Sequence, residues 1–125
     1  MLALSHKKLD VYLLSLKLVK EIYKVTGLFP QEEKFGLISQ LRRAAVSVCS
    51  NIAEGAARRS KLEKKRFYES SRSSAVEIDT QFEIAILLEY VTHVPISEIE
   101  QTLESIFKML SKMIDNLTTE APTSH

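Results

Sequence analysis

The 125-residue chain has one cysteine, three glycines, three prolines and no tryptophan. Each shortage excludes something. A single thiol, Cys49, rules out an internal disulfide and suits a reducing compartment. So little Gly and Pro cannot supply the many turns of an all-β fold, which points to helices. No stretch approaches the roughly 18 apolar residues of a membrane span. The first residues, "MLALSHKKLD", lack the apolar core of a signal peptide. The expectation is a cytoplasmic protein with no membrane partner.

Reactive groups are scarce too. His6 and His125 sit near the termini and His93 precedes Pro95. None has a carboxylate or cysteine at ligand spacing, so neither a metal nor another cofactor is expected. Gly27, Gly36 and Gly55 are isolated and form no phosphate-cradling loop. Glu77, Asp79 and Glu83 in "EIDTQFE" come without the Glu-x-x-His partner of a di-iron bundle. Cys49, between Val48 and Ser50, reads better as a packed thiol than as a nucleophile. No catalytic residue is expected, and the chain reads as a non-enzyme.

What is present is apolar periodicity and charge. With 45% hydrophobic and 26% charged residues, the composition is that of one globular domain. "TGLFPQ" (26–31) and "YVTHVPIS" (90–97) break the periodic pattern. Ser60 followed by Glu63 has the spacing of a capping box, as has Ser97 followed by Glu100. Together they predict helices over about 7–27, 32–59, 61–91 and 97–117, one domain over 1–117, and a loose tail over 118–125. The fold class is an all-α, up-down antiparallel four-helix bundle.

The last helix carries one stripe, Ile99, Leu103, Ile106, Phe107, Leu110, Met113, Ile114 and Leu117. The first carries two: Leu9, Leu13, Leu16, Val19 and Tyr23, and, nearly opposite, Val11, Leu14, Leu18, Ile22 and Val25. The second directs Leu37, Leu41, Ala45, Val48 and Ile52 to the core, beside a flat strip of Val46, Cys49, Ala53 and Ala57. A lone bundle needs one stripe per helix, so the extra faces imply burial against copies of the same chain. On the third helix, Ser71 and Ala75 share the face of Ile78 and Phe82, which lets a neighbour approach closely.

Charge is divided unevenly. Residues 1–66 hold 14 Lys and Arg against 6 Asp and Glu, a balance of +8. Residues 67–125 hold 3 against 10, a balance of −7. The split fits either a basic face for an anionic partner or two halves that attract each other within or between chains. Its densest part is Arg58, Arg59, Lys61, Lys64, Lys65 and Arg66, at a helix junction. These are candidate phosphate contacts for RNA or DNA, or else solvated surface. Phe67 and Tyr68 follow and fit the core face better than a stacking role. On the second helix Gln40, Arg43, Ser47, Asn51, Glu54 and Arg58 fall on one arc. That arc reads as a solvated stripe with weak ion pairs, or as a network in which Arg43, Asn51 and Glu54 meet Glu77 or Gln81.

The segment "SQLRRAAVSVCSNIAEG" closely resembles the signature of the four-helix-bundle proteins encoded by 23S rRNA intervening sequences, and "EKFGL" and "EIDTQFEIA" look like further family elements. The resemblance runs from about Leu9 to Leu117. It implies an up-down bundle assembled into a ring-like homopentamer. The family is also similar to the accessory variability determinant proteins of diversity-generating retroelements, basic pentamers that bind nucleic acid and a reverse transcriptase. The positions it marks here are Arg42, Arg43, Ser47, Asn51, Glu54, Gly55, Glu77, Gln81 and Glu83. Three positions depart from the pattern: Cys49 where Pro is frequent, Ala56 where an aromatic is common, and Tyr12 where Trp is frequent. The near-neutral total charge also differs from the strongly basic retroelement proteins. The resulting expectation is a homo-oligomer associated with RNA or DNA; its rival is a protein-binding adaptor, for example for a reverse transcriptase.

Overall fold

The computed structural model describes residues 1–91 and 96–119. Among them are four α-helices: α1 (Asp10–Thr26), α2 (Leu37–Ala57), α3 (Lys61–Leu87) and α4 (Ser97–Thr119). Each helix packs on the next, and α4 returns to α1, so the four stand at the corners of a square in up-down order. Short 3-10 turns at Ser5–Lys8 and Gln31–Glu33 lead into α1 and α2.

The core is built from one stripe per helix. Leu18, Ile22, Leu41, Ala45, Val48, Ile52, Ile78, Ala85, Ile106 and Leu110 are fully enclosed. On α1 it is the Val11, Leu18, Ile22 and Val25 face that turns inward. The opposite face stays outside, with Leu13 at 51% and Leu16 at 45% exposure. On α4 the stripe goes inward apart from Phe107, which is exposed.

The closest seam is α2 against α3, and small residues make it close. Ser71 is completely buried and donates from Oγ to the Val48 carbonyl at 2.8 Å. Ser74 Oγ donates to Ser47 Oγ at 2.9 Å. Hydroxyls this short satisfy themselves across the seam without holding the backbones apart, which accounts for the polar run in an otherwise core-facing stretch. The turn between these helices is tight because Ser60 caps α3: its Oγ accepts the Glu63 N–H at 3.1 Å. Such a cap stabilises a helix by about 1 kcal/mol.

Three boundaries differ from those expected near 7, 32 and 91. The first helix starts at Asp10 because residues 5–8 form a separate turn with the His6 ring buried edge-on to Tyr12, 4.8 Å between centroids. The second starts at Leu37, after Pro30 and the 3-10 turn. The third stops at Leu87 with no Gly or Pro to stop it. There Glu89 adopts a left-handed φ of 63°, while Tyr90 N–H reaches the Ala85 carbonyl at 2.9 Å and Glu89 N–H reaches that of Ile86 at 3.0 Å. This is the Schellman arrangement with glutamate where glycine is usual. At the other end α4 runs two residues beyond 117.

The Schellman turn aims Tyr90 at the opposite loop. Its hydroxyl donates to Glu33 Oε2 at 2.9 Å, and Glu33 Oε1 accepts the first free N–H of α2, from Leu37, at 3.0 Å. The backbone bond first and the tyrosine bond second hold the Glu33 carboxyl below its ordinary value of 4.5. A depressed folded pKa means stability that is present above the ordinary carboxylate range and lost as pH falls through the lower folded value. Tyr90→Phe is therefore expected to melt earlier than the parent at pH 7. The gap should narrow steadily below about pH 4, as protonation of Glu33 removes from the parent the ion-assisted tyrosine bond that the variant already lacks. Melting curves at a series of pH values check this.

Candidate nucleic-acid interface

The six cations at the α2–α3 junction do not share one role. Arg58 is held in place: its Nη2 meets Glu54 Oε2 at 3.0 Å and its guanidinium lies over the Phe67 ring, 4.7 Å from the centroid. Lys64 turns back to the end of α2, where Nζ donates to the Ala56 carbonyl at 3.1 Å and the Gly55 carbonyl at 3.4 Å. These are among the carbonyls that an α-helix leaves without internal partners, so Lys64 acts as a C-terminal cap bearing the favourable charge. Arg59, Lys61 and Arg66 are exposed, and Lys65 is half-buried.

Two further cations lie at this end of the bundle. The 3-10 turn before α1 packs on α2, which brings Lys7 and Lys8 to the same end of the bundle. Lys7 Nζ also donates to the Leu2 carbonyl. Separation in sequence hid them; the only available signal was that an up-down bundle places the starts of its first and third helices at one end.

The corner is tight because of Gly55. A side chain there would place its Cβ 2.7 Å from Tyr68 Cε1 and 3.0 Å from Phe67 Cβ. Tyr68 fills that space and is buried, and burial raises its phenol above the ordinary value. Phe67 and Tyr68 are thus used inside the protomer, one under Arg58 and the other against Gly55.

The polar arc of α2 divides in the same way. Asn51 stays on its own helix, donating from Nδ2 to the Ser47 carbonyl at 2.9 Å and to Ser47 Oγ at 3.0 Å. Glu54 is taken by Arg58. Arg43 does face α3: with Gln40, Ser47, Glu77 and Gln81 it lines a polar groove of about 310 Å³. Within it Gln81 Nε2 reaches Gln40 Oε1 at a long 3.5 Å, while Gln81 Oε1 is buried without a partner among the described residues. Arg42, its sequence neighbour, points to the other side and ties α2 to the end of α1. Its Nε donates to Thr26 Oγ1 at 2.9 Å, its Nη2 to the Tyr23 carbonyl at 3.1 Å, and its guanidinium stacks 4.5 Å from the Tyr23 ring centre. Glu83 turns away from α2 and borders a groove between α3 and α4.

Among the described residues no three His, Cys, Asp or Glu side chains gather as metal ligands. Cys49 is half-buried, its thiol against Tyr12. His93 and His125 lie outside the described residues. No helix among those residues is long and apolar enough to cross a membrane.

Comparison with known proteins agrees with this architecture. The family described as 23S rRNA-intervening sequence protein matches residues 7–112. A crystal structure of a protein of unknown function from the S23 ribosomal protein family of Bacteroides thetaiotaomicron superposes with a TM-score of 0.58 at 23% identity. The match covers 90% of this chain and 99% of that one. It speaks for the fold alone. No curated protein matches the chain.

Proposed function

The chain belongs to the 23S rRNA-intervening sequence protein family, and from that premise we propose a non-enzymatic, self-assembling protein that associates with RNA or DNA through its basic corner. One observation carries the reading. Arg59, Lys61, Lys65 and Arg66 stand together at the α2–α3 turn, with Lys7 and Lys8 at the same end. Cations in this arrangement neutralise phosphates without reading bases. Self-assembly is supported by the exposed α1 face of Leu9, Leu13, Leu16 and Tyr23, and a ring of five copies by the family resemblance. Repetition of the corner around a ring would turn a weak contact into an effective one.

Affinity for a structured RNA and for a DNA duplex, measured across a salt series with the mass followed in parallel, tests this. Four phosphates contacted per chain predict a log–log salt slope of about −3.6 on duplex for each engaged chain. Binding that is absent at low salt from an intact assembly rejects the nucleic-acid role and leaves the protein-adaptor role in its place.

A further inference from the structure

A polar seam in two rows climbs from the basic corner along the outside of α2 and α3. On α3, Arg66, Ser70, Glu77 and Gln81 recur at helical spacing on one side. On α2, Asn51, Ser47, Arg43 and Gln40 run beside them. Two contacts fix the register: Ser74 Oγ meets Ser47 Oγ at 2.9 Å, and Gln81 Nε2 reaches Gln40 Oε1 at 3.5 Å. Arg43 and Glu77 lie between those two levels, on opposite walls of the polar groove of about 310 Å³, with buried Ala44 beneath them. That volume is at the small end of ligand pockets. Both charges are left over by the fold. Arg43 and Glu77 are exposed, and among the described residues neither has an ion pair or hydrogen bond. Arg43 also borders the α1–α2 side, so it stands on the crest of α2. Glu54, the other acid along this stretch, is bonded to Arg58. Glu77 is thus an uncompensated carboxylate beside a basic corner, where charge alone would disfavour it on a path for phosphates.

We infer that this groove takes one unpaired guanine of a strand whose phosphates lie on the basic corner. The inference rests on the nucleic-acid reading above and adds base selection to it. A carboxylate presents two acceptors side by side and no donor. Among the four RNA bases only guanine offers two adjacent donor groups, N1–H and the 2-amino group, on its pairing edge. Its O6 and N7 acceptors, next around the ring, suit an arginine fork. Glu77 and Arg43 supply those partners from the two walls. Gln81 is the third group. Its bond to Gln40 is long and its Oε1 has no partner among the described residues, so turning the carboxamide outward gives the second amino hydrogen an acceptor. The edge that Glu77 requires is occupied in a duplex, so the guanine has to be unpaired.

Corner and groove are within one strand's reach. At 1.5 Å per residue, Arg66 and Glu77 stand roughly 16–17 Å apart along α3. A stacked strand covers that span with about five nucleotides at roughly 3.4 Å each. An extended strand needs fewer. Between the two, the seam offers the exposed hydroxyls of Ser70 and Ser73 and the half-buried amide of Asn51. Its one acid there, Glu54, is already neutralised by Arg58. The corner then holds a strand whatever its sequence, and the groove sets which nucleotide stops there.

Short labelled oligouridines, plain or carrying one central guanosine, inosine or adenosine, test this by fluorescence anisotropy with the full chain. The parent is expected to bind the guanosine strand about 10-fold more tightly than plain oligouridine, as a good bidentate base contact allows. Inosine, which lacks only the 2-amino group, should lose much of that gain, and adenosine all of it. Glu77→Gln is the decisive variant. Removing an acid from a phosphate path would by charge alone tighten binding to every strand. A base contact predicts the reverse for guanosine, because the new amide N–H opposes the 2-amino group. Its advantage should fall to about twofold or less, with plain oligouridine bound as before or more tightly. Arg43→Gln should narrow the same gap. Both residues are exposed, so helix content and melting temperature should stay near the parent. Free guanosine monophosphate presents the same edge but no chain of phosphates, so it should compete only weakly. Monophosphate that binds as tightly as the guanosine strand overturns the strand as ligand. Equal affinity of the parent for all strands overturns the guanine site and leaves the basic corner standing. A preference that survives Glu77→Gln also overturns it, and so does a lowered melting temperature with binding unchanged, which makes Arg43 and Glu77 structural. No strand bound at low salt overturns the nucleic-acid reading and this site with it.

Discussion

Replacing Arg59, Lys65 and Arg66 together by glutamate is expected to lower affinity for structured RNA by about 100-fold or more near 100 mM salt, and to flatten the salt slope by about 2–3 for each engaged chain. Each replacement removes a counterion-releasing contact and adds a charge that the phosphates repel. Stability should change little, because Arg59 and Arg66 are exposed and Lys65 only half-buried. Lys64 is left out deliberately. It caps the last carbonyls of α2, so Lys64→Glu would mix a structural loss with any binding effect. Comparing the two separates the roles: the triple variant should lose RNA and keep its melting temperature, while Lys64→Glu should lower the melting temperature. Unchanged affinity in the triple variant would mean that this corner is ordinary solvated surface.

The second large effect is expected from Gly55→Ala. Alanine ordinarily strengthens a helix interior by about 0.5–1 kcal/mol over glycine. Here the added carbon lands 2.7 Å and 2.9 Å from the Tyr68 ring and 3.0 Å from Phe67 Cβ. The ring is enclosed and the Phe67 Cβ is fixed to the α3 backbone, so relief requires α2 and α3 to part. Overpacking of this kind costs about 1–3 kcal/mol. The net expectation is a loss of about 1–2 kcal/mol, or several degrees in the melting temperature of a domain this size. Gly55→Val should cost about 3 kcal/mol or more, since a branched side chain adds to the same clash. Urea titration measures both. A rise in stability for the alanine variant would show that the Tyr68 ring can move aside.

Much of this was legible in the sequence, because much of it is local. The three- and four-residue spacing of Leu37, Leu41, Ala45, Val48 and Ile52 fixes a core stripe in any α-helix. Ser60 and Glu63 announce a helix start through a bond spanning three residues. What was illegible depends on how helices are rotated against each other. Arg42 and Arg43 are adjacent and chemically identical, yet 100° of helical rotation sends one to the carbonyl end of α1 and the other to the α2–α3 groove. Lys64 and Lys65 likewise look equivalent in a basic run, and only the folded turn makes one of them a cap. Arg43 lines one groove with Glu77 and Gln81, whereas Asn51 and Glu54 bond within their own helix. The end of α3 was hidden because glutamate at 89 gives no sign that it will take a left-handed conformation.

The order of neighbours around the square bears on how the chain reaches this state. Three of the four helix seams join consecutive helices, and only α1 against α4 links the two ends of the sequence. Such a low contact order belongs to chains that fold in microseconds to milliseconds. Hairpins of consecutive helices close short loops, and the α1–α4 seam carries the greatest loop-closure cost. All four seams close within one chain. Under the self-assembly proposed above, the joining of copies is then a separate step whose extent depends on concentration.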